Sequence, residues 1–143
     1  MHDYTPVLIG GGQYTQKEFS IERAHPPMGI AAEASKQAIL DAGIGEEITK
    51  HIDTIVSTRI FPDSFNRPRL QVPFGRAENP PRAVADRIGA KPVTAIYGNV
   101  GGNTPQKYIN EMAERISAKD VELVLLAGSE AINTAQKAMR NSV

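Results

Sequence analysis

The hydrophobic residues of this chain fall into short continuous runs that alternate with stretches of helical spacing. The runs are rich in β-branched residues and are bounded by glycine or proline, which is typical of buried strands. They are PVLIG at Pro6–Gly10, IDTIVSTRI from Ile52, PVTAIYG from Pro92 and VELVLLAG from Val121. The pattern therefore predicts four strands.

Three amphipathic helices are predicted between these strands, because apolar residues recur there every three or four positions. The glycines of DAGI (Asp41–Ile44) and RIGAKP (Arg87–Pro92) mark the ends of the first two helices. The predicted apolar faces are Ile30, Ala31, Ala34, Ala38 and Ile39, then Val84, Ala85 and Ile88, then Tyr108, Ile109, Met112, Ala113 and Ile116.

The resulting order βαβαβαβ predicts an α/β fold. Because the strands are apolar over successive residues, the sheet should be mostly parallel and covered by helices on both faces. A chain of 143 residues is the size of one domain, so a single domain over residues 1–143 is expected.

Residues 61–81 break the alternation and are predicted to form a long loop. This segment holds five prolines, too many for a helix interior or a central strand. Long loops often cover a functional site, but a surface excursion that packs on a neighbouring subunit fits equally well. Both interpretations stay open.

Composition narrows the function classes. The chain has 16 lysine and arginine residues and 16 aspartate and glutamate residues, so its formal net charge is zero. This balance disfavours nucleic acid and anionic membrane surfaces as partners. No apolar run approaches the roughly 18 residues that a membrane helix needs, and the N-terminus lacks a leader pattern, so a cytoplasmic protein is expected. Because the chain contains no cysteine, it has no disulfide, no thiolate metal site and no cysteine nucleophile of its own.

Two glycine clusters resemble phosphate-binding motifs only superficially. GGGQYT (Gly10–Thr15) follows a predicted strand, but Thr15 stands where a dinucleotide fingerprint has a third glycine opening a helix, so a flexible strand end is the better interpretation. GNVGGNTPQK has no lysine directly after its glycine pair. There, Thr104 is predicted to cap the third helix and Pro105 to lie in its first turn.

Few polar residues have the spacing of a reactive or metal site. His2, His25 and His51 lie in different elements, and none has the spacing of a metal pair, so no metal is expected. Glu130 in AGSEA follows the last predicted strand, at the sheet edge where open α/β folds bind ligands. Capping of the following segment would explain Glu130 equally well.

The ordered series of motifs resembles the first half of a thiolase-superfamily protein, of the thiolase-like group often called acetyl-CoA acetyltransferases. The series is PVLIGGGQYTQK, AAEASKQAILDAGI, IDTIVSTRI, NPPRAVADRIGAKP, TAIYGNVGGNTPQKYINEMAERI and DVELVLLAGSEA. In that family the third strand leads into a glycine-rich turn with a nucleophilic cysteine at the start of a buried helix. The next strand ends in a GSE-like motif.

The resemblance places Val100 where the family has its nucleophile, and a register shift of one residue would place Gly101 there. Valine cannot attack a thioester, and Asn103 and Thr104 are poor substitutes, because an amide is not a nucleophile and a threonine hydroxyl needs an adjacent base. No catalytic residue is therefore assigned. The resemblance implies a pocket lined by Asn99, Val100, Gly101, Gly102, Asn103 and Glu130.

The family also implies a longer protein. Its catalytic members repeat this half-domain, and the second part carries histidines and a second cysteine; the first half ends with an antiparallel strand that would follow Val143 here. The chain is therefore expected to be a fragment. Because the family pairs its third strand across a two-fold axis, and the third helix would expose an apolar surface, a homodimer or larger assembly is expected.

Three functions remain compatible with these residues. In the first, the longer protein binds acyl-CoA thioesters without the usual nucleophile and without a covalent cofactor. In the second, it is an active acyltransferase that uses residues outside this chain. In the third, the fold serves as a scaffold or oligomerisation domain and catalyses no reaction. Under the first, this chain alone is inactive.

Overall fold

The computed structural model describes residues 4–17, 20, 22–64 and 73–140. Within these ranges the strands are β1 (Thr54–Ser57), β2 (Thr94–Tyr97) and β3 (Val124–Ala127). The α-helices are α1 (Pro27–Asp41), α2 (Pro80–Ile88), α3 (Thr104–Ser117) and α4 (Ile132–Arg140), and short 3-10 helices span Glu46–His51 and Phe61–Ser64.

The three strands form one parallel sheet in the order β2-β1-β3. Val56 of the central strand lies opposite Ile96 on one side and Leu126 on the other. Side chains alternate between the two faces of such a sheet, so the register decides which helix each residue meets. The predicted α/β class with a parallel sheet is confirmed.

Helices cover both faces of β1, which is buried along its whole length. Ile55 packs with Met28 of α1 and Val84 of α2 on one face. Val56 packs with Tyr108 and Met112 of α3 on the other. The apolar spacing recognised in the sequence thus supplies core residues on each side of the sheet, but Ile109, which was predicted to lie on the apolar face of the third helix, is 50% exposed.

Glycine ends the first two helices as predicted. Gly43 follows α1 with φ of 66°, and Gly89 follows α2 with φ of 75°. Only a residue without a Cβ adopts this left-handed conformation at no cost, and it lets the chain turn toward the next strand.

The segment predicted as the first strand, Pro6–Gly10, has neither strand nor helical structure. Its last residue, Gly10, and the following Gly12 lie against α1 instead: a Cβ at Gly10 would be 2.3 Å from the carbonyl oxygen of Ala38, and one at Gly12 would be 2.1 Å from that of Ala34. The glycines therefore allow a close approach to a helix, which replaces the interpretation as a flexible strand end.

The predicted loop at 61–81 contains ordered structure at both ends. Phe61–Ser64 forms a 3-10 helix, and α2 begins at Pro80, earlier than its apolar spacing indicated. Two prolines fit there because the first helical turn has no intrahelical partner for their missing N–H groups, and Asn79 caps it by accepting from the N–H of Arg82. Residues 65–72 lie outside the described part of the chain.

The sequence analysis did not identify α4, which follows β3. Its buried residues, Thr134 and Ala138, are four positions apart, as on one helical face. None of the helices in the described ranges is long and apolar enough to cross a membrane.

Candidate functional site at the carboxyl edge of the sheet

The corner between β2 and α3 is shaped by glycines that allow close packing. Gly98 is buried directly after β2, and a Cβ there would lie 2.5 Å from the ring of Tyr108. Since that ring belongs to the core of α3, strand and helix can meet this closely only because residue 98 has no side chain.

Asn99 and Val100 carry the first two side chains of the corner, and both are exposed. Val100 is 55% exposed. At Gly101, a Cβ would lie 3.0 Å from Thr104 Oγ1 and 3.1 Å from Asn103 Oδ1, which is tighter than ordinary packing. The corner therefore accommodates a side chain more readily at position 100 than at 101.

The prediction that Thr104 caps α3 is wrong. Thr104 is the first residue of the helix and is buried, while Asn103 stands at the cap position and makes no side-chain capping hydrogen bond. Pro105 lies in the first turn as predicted. The start of the helix is closed by backbone bonds instead: the N–H of Thr104 donates to the carbonyl oxygen of Gly101, and that of Lys107 donates to the carbonyl oxygen of Asn103.

A polar network that the sequence analysis missed adjoins this corner. Arg59, two residues after β1, donates from Nε to the carbonyl oxygen of Gly98 at 3.1 Å. Its guanidinium carbon also lies 4.8 Å from the centre of the Tyr97 ring, in the geometry of a cation–π contact. Arg59 thus contacts both the last residue of β2 and the first residue of the corner.

Tyr97 connects β2 to the start of the 61–81 segment. Its hydroxyl donates to Asp63 Oδ2 at 2.6 Å and accepts from the N–H of Ile60 at 3.2 Å. Burial, with a further contribution from the hydrogen bond to Asp63, raises the pKa of Tyr97 to about 12. The phenol is therefore a protonated hydrogen-bond donor throughout the physiological pH range.

Asp63 is shared between Tyr97 and a second basic residue. Its Oδ1 lies 3.5 Å from Nε of Arg76, and Arg76 also donates to the carbonyl oxygen of Pro62 at 3.2 Å. Asp63 thus joins both described ends of the 61–81 segment to the last residue of β2.

Glu130 lies at the same edge of the sheet, two residues beyond Gly128 at the end of β3. Its Oε1 accepts from the backbone N–H of Phe61 at 2.5 Å. Glu130 therefore holds the segment that follows β1, a third role beside the two considered from the sequence. A Cβ at Gly128 would lie 2.5 Å from Thr58 Oγ1, so the Thr58 hydroxyl would have to move to accommodate it.

The structure places all the predicted pocket residues at the carboxyl edge but in two groups. Asn99 to Asn103 follow β2, Glu130 follows β3, and the central strand β1 separates them. Strand spacing puts the two groups about 10 Å apart. Residues 58–61 bridge them through Arg59 on one side and Phe61 on the other, so a shared pocket stays a prediction.

Sequence reasoning missed Arg59, Asp63 and Tyr97. The signal in the sequence was the position of two of them: Tyr97 ends one apolar strand, and Arg59 follows another. A tyrosine that is partly buried in such a place needs a hydrogen-bond partner for its hydroxyl. No group of three or more metal-ligating residues occurs among the residues that the structure describes.

Comparison with solved structures identifies similar folds. The monomeric SCP2-thiolase-like protein type 1 from Mycobacterium smegmatis is 32% identical, with a TM-score of 0.70, over 90% of this chain and 24% of that one. Cerulenin-bound OleA from Xanthomonas campestris is 15% identical, with a TM-score of 0.58, over 90% of this chain and 33% of that one.

A second OleA structure, which contains lauric acid and lauroyl-CoA, is 14% identical, with a TM-score of 0.55, over 75% of this chain and 28% of that one. The OleA likeness shows the fold alone. No family model matches the chain, and no curated protein does.

The chain spans about a quarter of the length of the mycobacterial protein and about a third of OleA. The likeness to the first of these extends to sequence as well as fold. The resemblance to the thiolase superfamily is thereby confirmed, and this chain is a thiolase-like segment without a cysteine nucleophile of its own.

Proposed function

We propose that this chain is the N-terminal part of a thiolase-like acyl-CoA acetyltransferase homologue. The longer protein binds acyl-CoA thioesters, and this chain by itself does not catalyse acyl transfer. The observation that carries the proposal is the corner between β2 and α3. It resembles the glycine-rich turn that holds the nucleophilic cysteine in the family, but its exposed side chain is Val100, and the chain contains no cysteine.

Packing supports Val100, rather than Gly101, as the position equivalent to the family's nucleophile. A side chain at Gly98 would collide with Tyr108, and one at Gly101 would press on Thr104 Oγ1. At Val100 the side chain is exposed and precedes the first residue of α3 by four positions. A group mounted there would be near the helix start without displacing the core.

The start of α3 supports binding of a polarised carbonyl or an anion. The helix spans Thr104–Ser117, so it has almost four turns of aligned peptide dipoles with the positive end toward the corner. A thioester carbonyl placed beside Val100 would find the positive end of this dipole, although the N–H of Thr104 already donates to the carbonyl oxygen of Gly101 and Pro105 has no N–H. No side chain at position 100 could then attack it.

The ligand class is supported by one of the similar structures, whose OleA chain is described with bound lauric acid and lauroyl-CoA. That observation concerns OleA. Extended to the longer protein here, it makes a long-chain acyl-CoA a suitable first probe.

We also propose a homodimer or larger homo-oligomer. The outer edge of β2 pairs with no other strand in the described ranges, and unpaired edges readily add another strand. Val93, which directly precedes β2, is 85% exposed, and Ile109 of α3 is 50% exposed. A second copy would remove these apolar side chains from water.

The binding proposal is tested by titrating lauroyl-CoA into the longer protein and into this chain by calorimetry, followed by intact-mass measurement. We expect binding by the longer protein and no acyl adduct on this chain. A Val100→Trp variant should weaken binding about tenfold by filling the corner, whereas Val93→Trp at the opposite end of β2 should not. Absence of binding, or an adduct on the unmodified chain, would contradict the proposal.

A further inference from the structure

Arg59 lies between the central strand and the corner that presents Val100. At the end of the β1–β2 ladder, the N–H of Gly98 donates to the carbonyl oxygen of Ser57 at 2.8 Å. In a continued parallel ladder, the backbone N–H of residue 59 would bond the carbonyl oxygen of Gly98 next. The side chain takes that place, since Arg59 Nε donates to this oxygen at 3.1 Å. The guanidinium is thus fixed at the carboxyl edge, where β2 ends.

The ring of Tyr97 further restricts the position of this guanidinium. The guanidinium carbon of Arg59 lies 4.8 Å from the centre of the ring. The ring is itself held, because its hydroxyl bonds both Asp63 and the N–H of Ile60. Arg59 is also half-buried, so its side chain has little rotamer freedom left. A ligand that binds it would lose little free energy in ordering the side chain.

The two Nη groups of Arg59 have no hydrogen-bond or ion-pair partner among the residues that the structure describes. The carboxylates at the same edge are engaged elsewhere. Asp63 contacts Tyr97 and Arg76, and Glu130 accepts from a backbone N–H. A guanidinium has five N–H donors in a planar fork, and Arg59 uses one of them here. The others match the two oxygens of a carboxylate.

Arg82 provides a comparison within the same molecule. Its Nη1 donates to the carbonyl oxygen of Pro92 at 3.2 Å, and its Nη2 donates to that of Val93 at 3.4 Å. Both Nη groups are therefore occupied by backbone oxygens, and Arg82 ties α2 to the segment before β2. Arg59 is tied to the backbone through Nε alone, which leaves its Nη groups for a ligand.

Arg59 is within reach of a short acyl group held at Val100. Gly98 and Val100 are two residues apart, so their Cα atoms are separated by at most about 7 Å. Since Arg59 bonds the carbonyl oxygen of Gly98, a thioester beside Val100 would place the far end of a short acyl chain near the guanidinium. The phosphates of CoA lie on the other side of the thioester, at the far end of the pantetheine arm. The anion that suits this position is therefore a carboxylate on the acyl group.

We propose that Arg59 binds a carboxylate at the end of the acyl chain, so that the site prefers thioesters of short dicarboxylic acids to those of monocarboxylic acids. The inference rests on the proposed binding of acyl-CoA thioesters and narrows the class of acyl group. A carboxylate would form charge-assisted, side-by-side hydrogen bonds with the Nη groups of Arg59. An acyl chain that ends in a methyl group cannot form them.

Calorimetric titration of the longer protein with glutaryl-CoA and pentanoyl-CoA tests the proposal, because their acyl groups have equal numbers of carbons and differ in the terminal carboxylate. We expect glutaryl-CoA to bind about tenfold more tightly. An Arg59→Gln variant keeps an N–H donor for the carbonyl oxygen of Gly98 but loses the charge, so it should bind the two esters equally. Arg82→Gln is the matched control and should keep the preference for glutaryl-CoA.

Two results overturn the inference about Arg59: equal affinity of the unmodified protein for the two esters, or a preference that persists in Arg59→Gln. The proposed thioester binding would survive both. If no CoA ester binds, lauroyl-CoA included, the proposed function fails instead.

An NMR titration of this unmodified chain with glutarate needs neither CoA nor a variant that folds, and it decides the role of Arg59 in those cases. The Nε–H signal of Arg59 should shift, whereas that of Arg82 should not. No shift at Arg59, or equal shifts at both arginines, would contradict the inference.

Discussion

Arg59 Nε donates to the carbonyl oxygen of Gly98 at 3.1 Å, which ties the segment after the central strand to the corner that presents Val100. The same segment is held from the other side by Glu130, through the N–H of Phe61. The carboxyl edge is thus a connected set of contacts, and its parts can be tested separately.

Replacing Tyr97 with Phe should lower the free energy of unfolding by about 1 kcal/mol, because the hydroxyl bonds both Asp63 and the N–H of Ile60. The folded chain keeps the phenol proton up to a pKa of about 12, whereas the unfolded chain loses it near the ordinary value of 10.0. The stabilisation from Tyr97 is therefore complete below pH 10.0 and is lost as the pH rises toward 12.

Urea unfolding of both proteins below pH 10.0 and at about pH 11 checks this prediction. The difference between wild type and Tyr97→Phe should shrink at the higher pH. A difference that stays constant would mean that the Tyr97 proton is not coupled to folding.

Gly98→Ala should destabilise the chain by about 2 kcal/mol, because the new Cβ would lie 2.5 Å from the Tyr108 ring and the core of α3 would have to shift. Gly102→Ala is the matched control, since nothing lies within 4 Å of a Cβ there. Equal midpoints of urea unfolding for the two variants would refute the close packing at this corner.

The contact of the N-terminal segment with α1 gives a similar pair of variants. A Cβ at Gly12 would be 2.1 Å from the carbonyl oxygen of Ala34, so Gly12→Ala should displace the segment and lower stability by about 1–3 kcal/mol. Gly11→Ala meets nothing within 4 Å and keeps its N–H bond to Asp41, so it should be nearly neutral. Thermal unfolding of both variants gives the comparison.

Self-association is tested by light scattering over a range of concentrations. We expect a mass of at least twice that of one chain, because the β2 edge and the exposed Val93 and Ile109 favour a second copy. A Val93→Lys variant should reduce the mass, since a charge at an edge opposes pairing. A single-chain mass at every concentration would contradict the proposed oligomer.

The sequence predicted the parallel sheet and three of its helices because their signals are local. Ile55 and Val56 lie in a continuous apolar run, and Gly43 and Gly89 mark helix ends by a conformation that other residues rarely adopt. The same local logic failed at Pro6–Gly10, whose apolar run looks like a strand but whose neighbouring glycines are fitted to α1. Such a contact depends on tertiary packing, which the spacing of residues does not show.

The candidate site was only partly predictable for the same reason. Val100 and Glu130 follow strands, so their common edge could be inferred from the α/β pattern. The partners of Tyr97 could not, because Asp63 and Arg59 lie more than thirty residues away in sequence, Asp63 in a predicted loop and Arg59 near the end of a predicted strand. Their contact arises only when β1 and β2 pair.

The most direct test of the central claim is acylation of a single introduced cysteine. Because the chain has no cysteine, Val100→Cys and Ile44→Cys each carry one thiol at an exposed position, and Ile44 lies outside the proposed contact between copies. Intact-mass measurement after incubation with lauroyl-CoA at neutral pH gives the rate for each. The start of α3 should favour the thiolate at position 100, so we expect acyl transfer about tenfold faster there than at position 44. Equal rates would show that the corner is not built to hold a nucleophile.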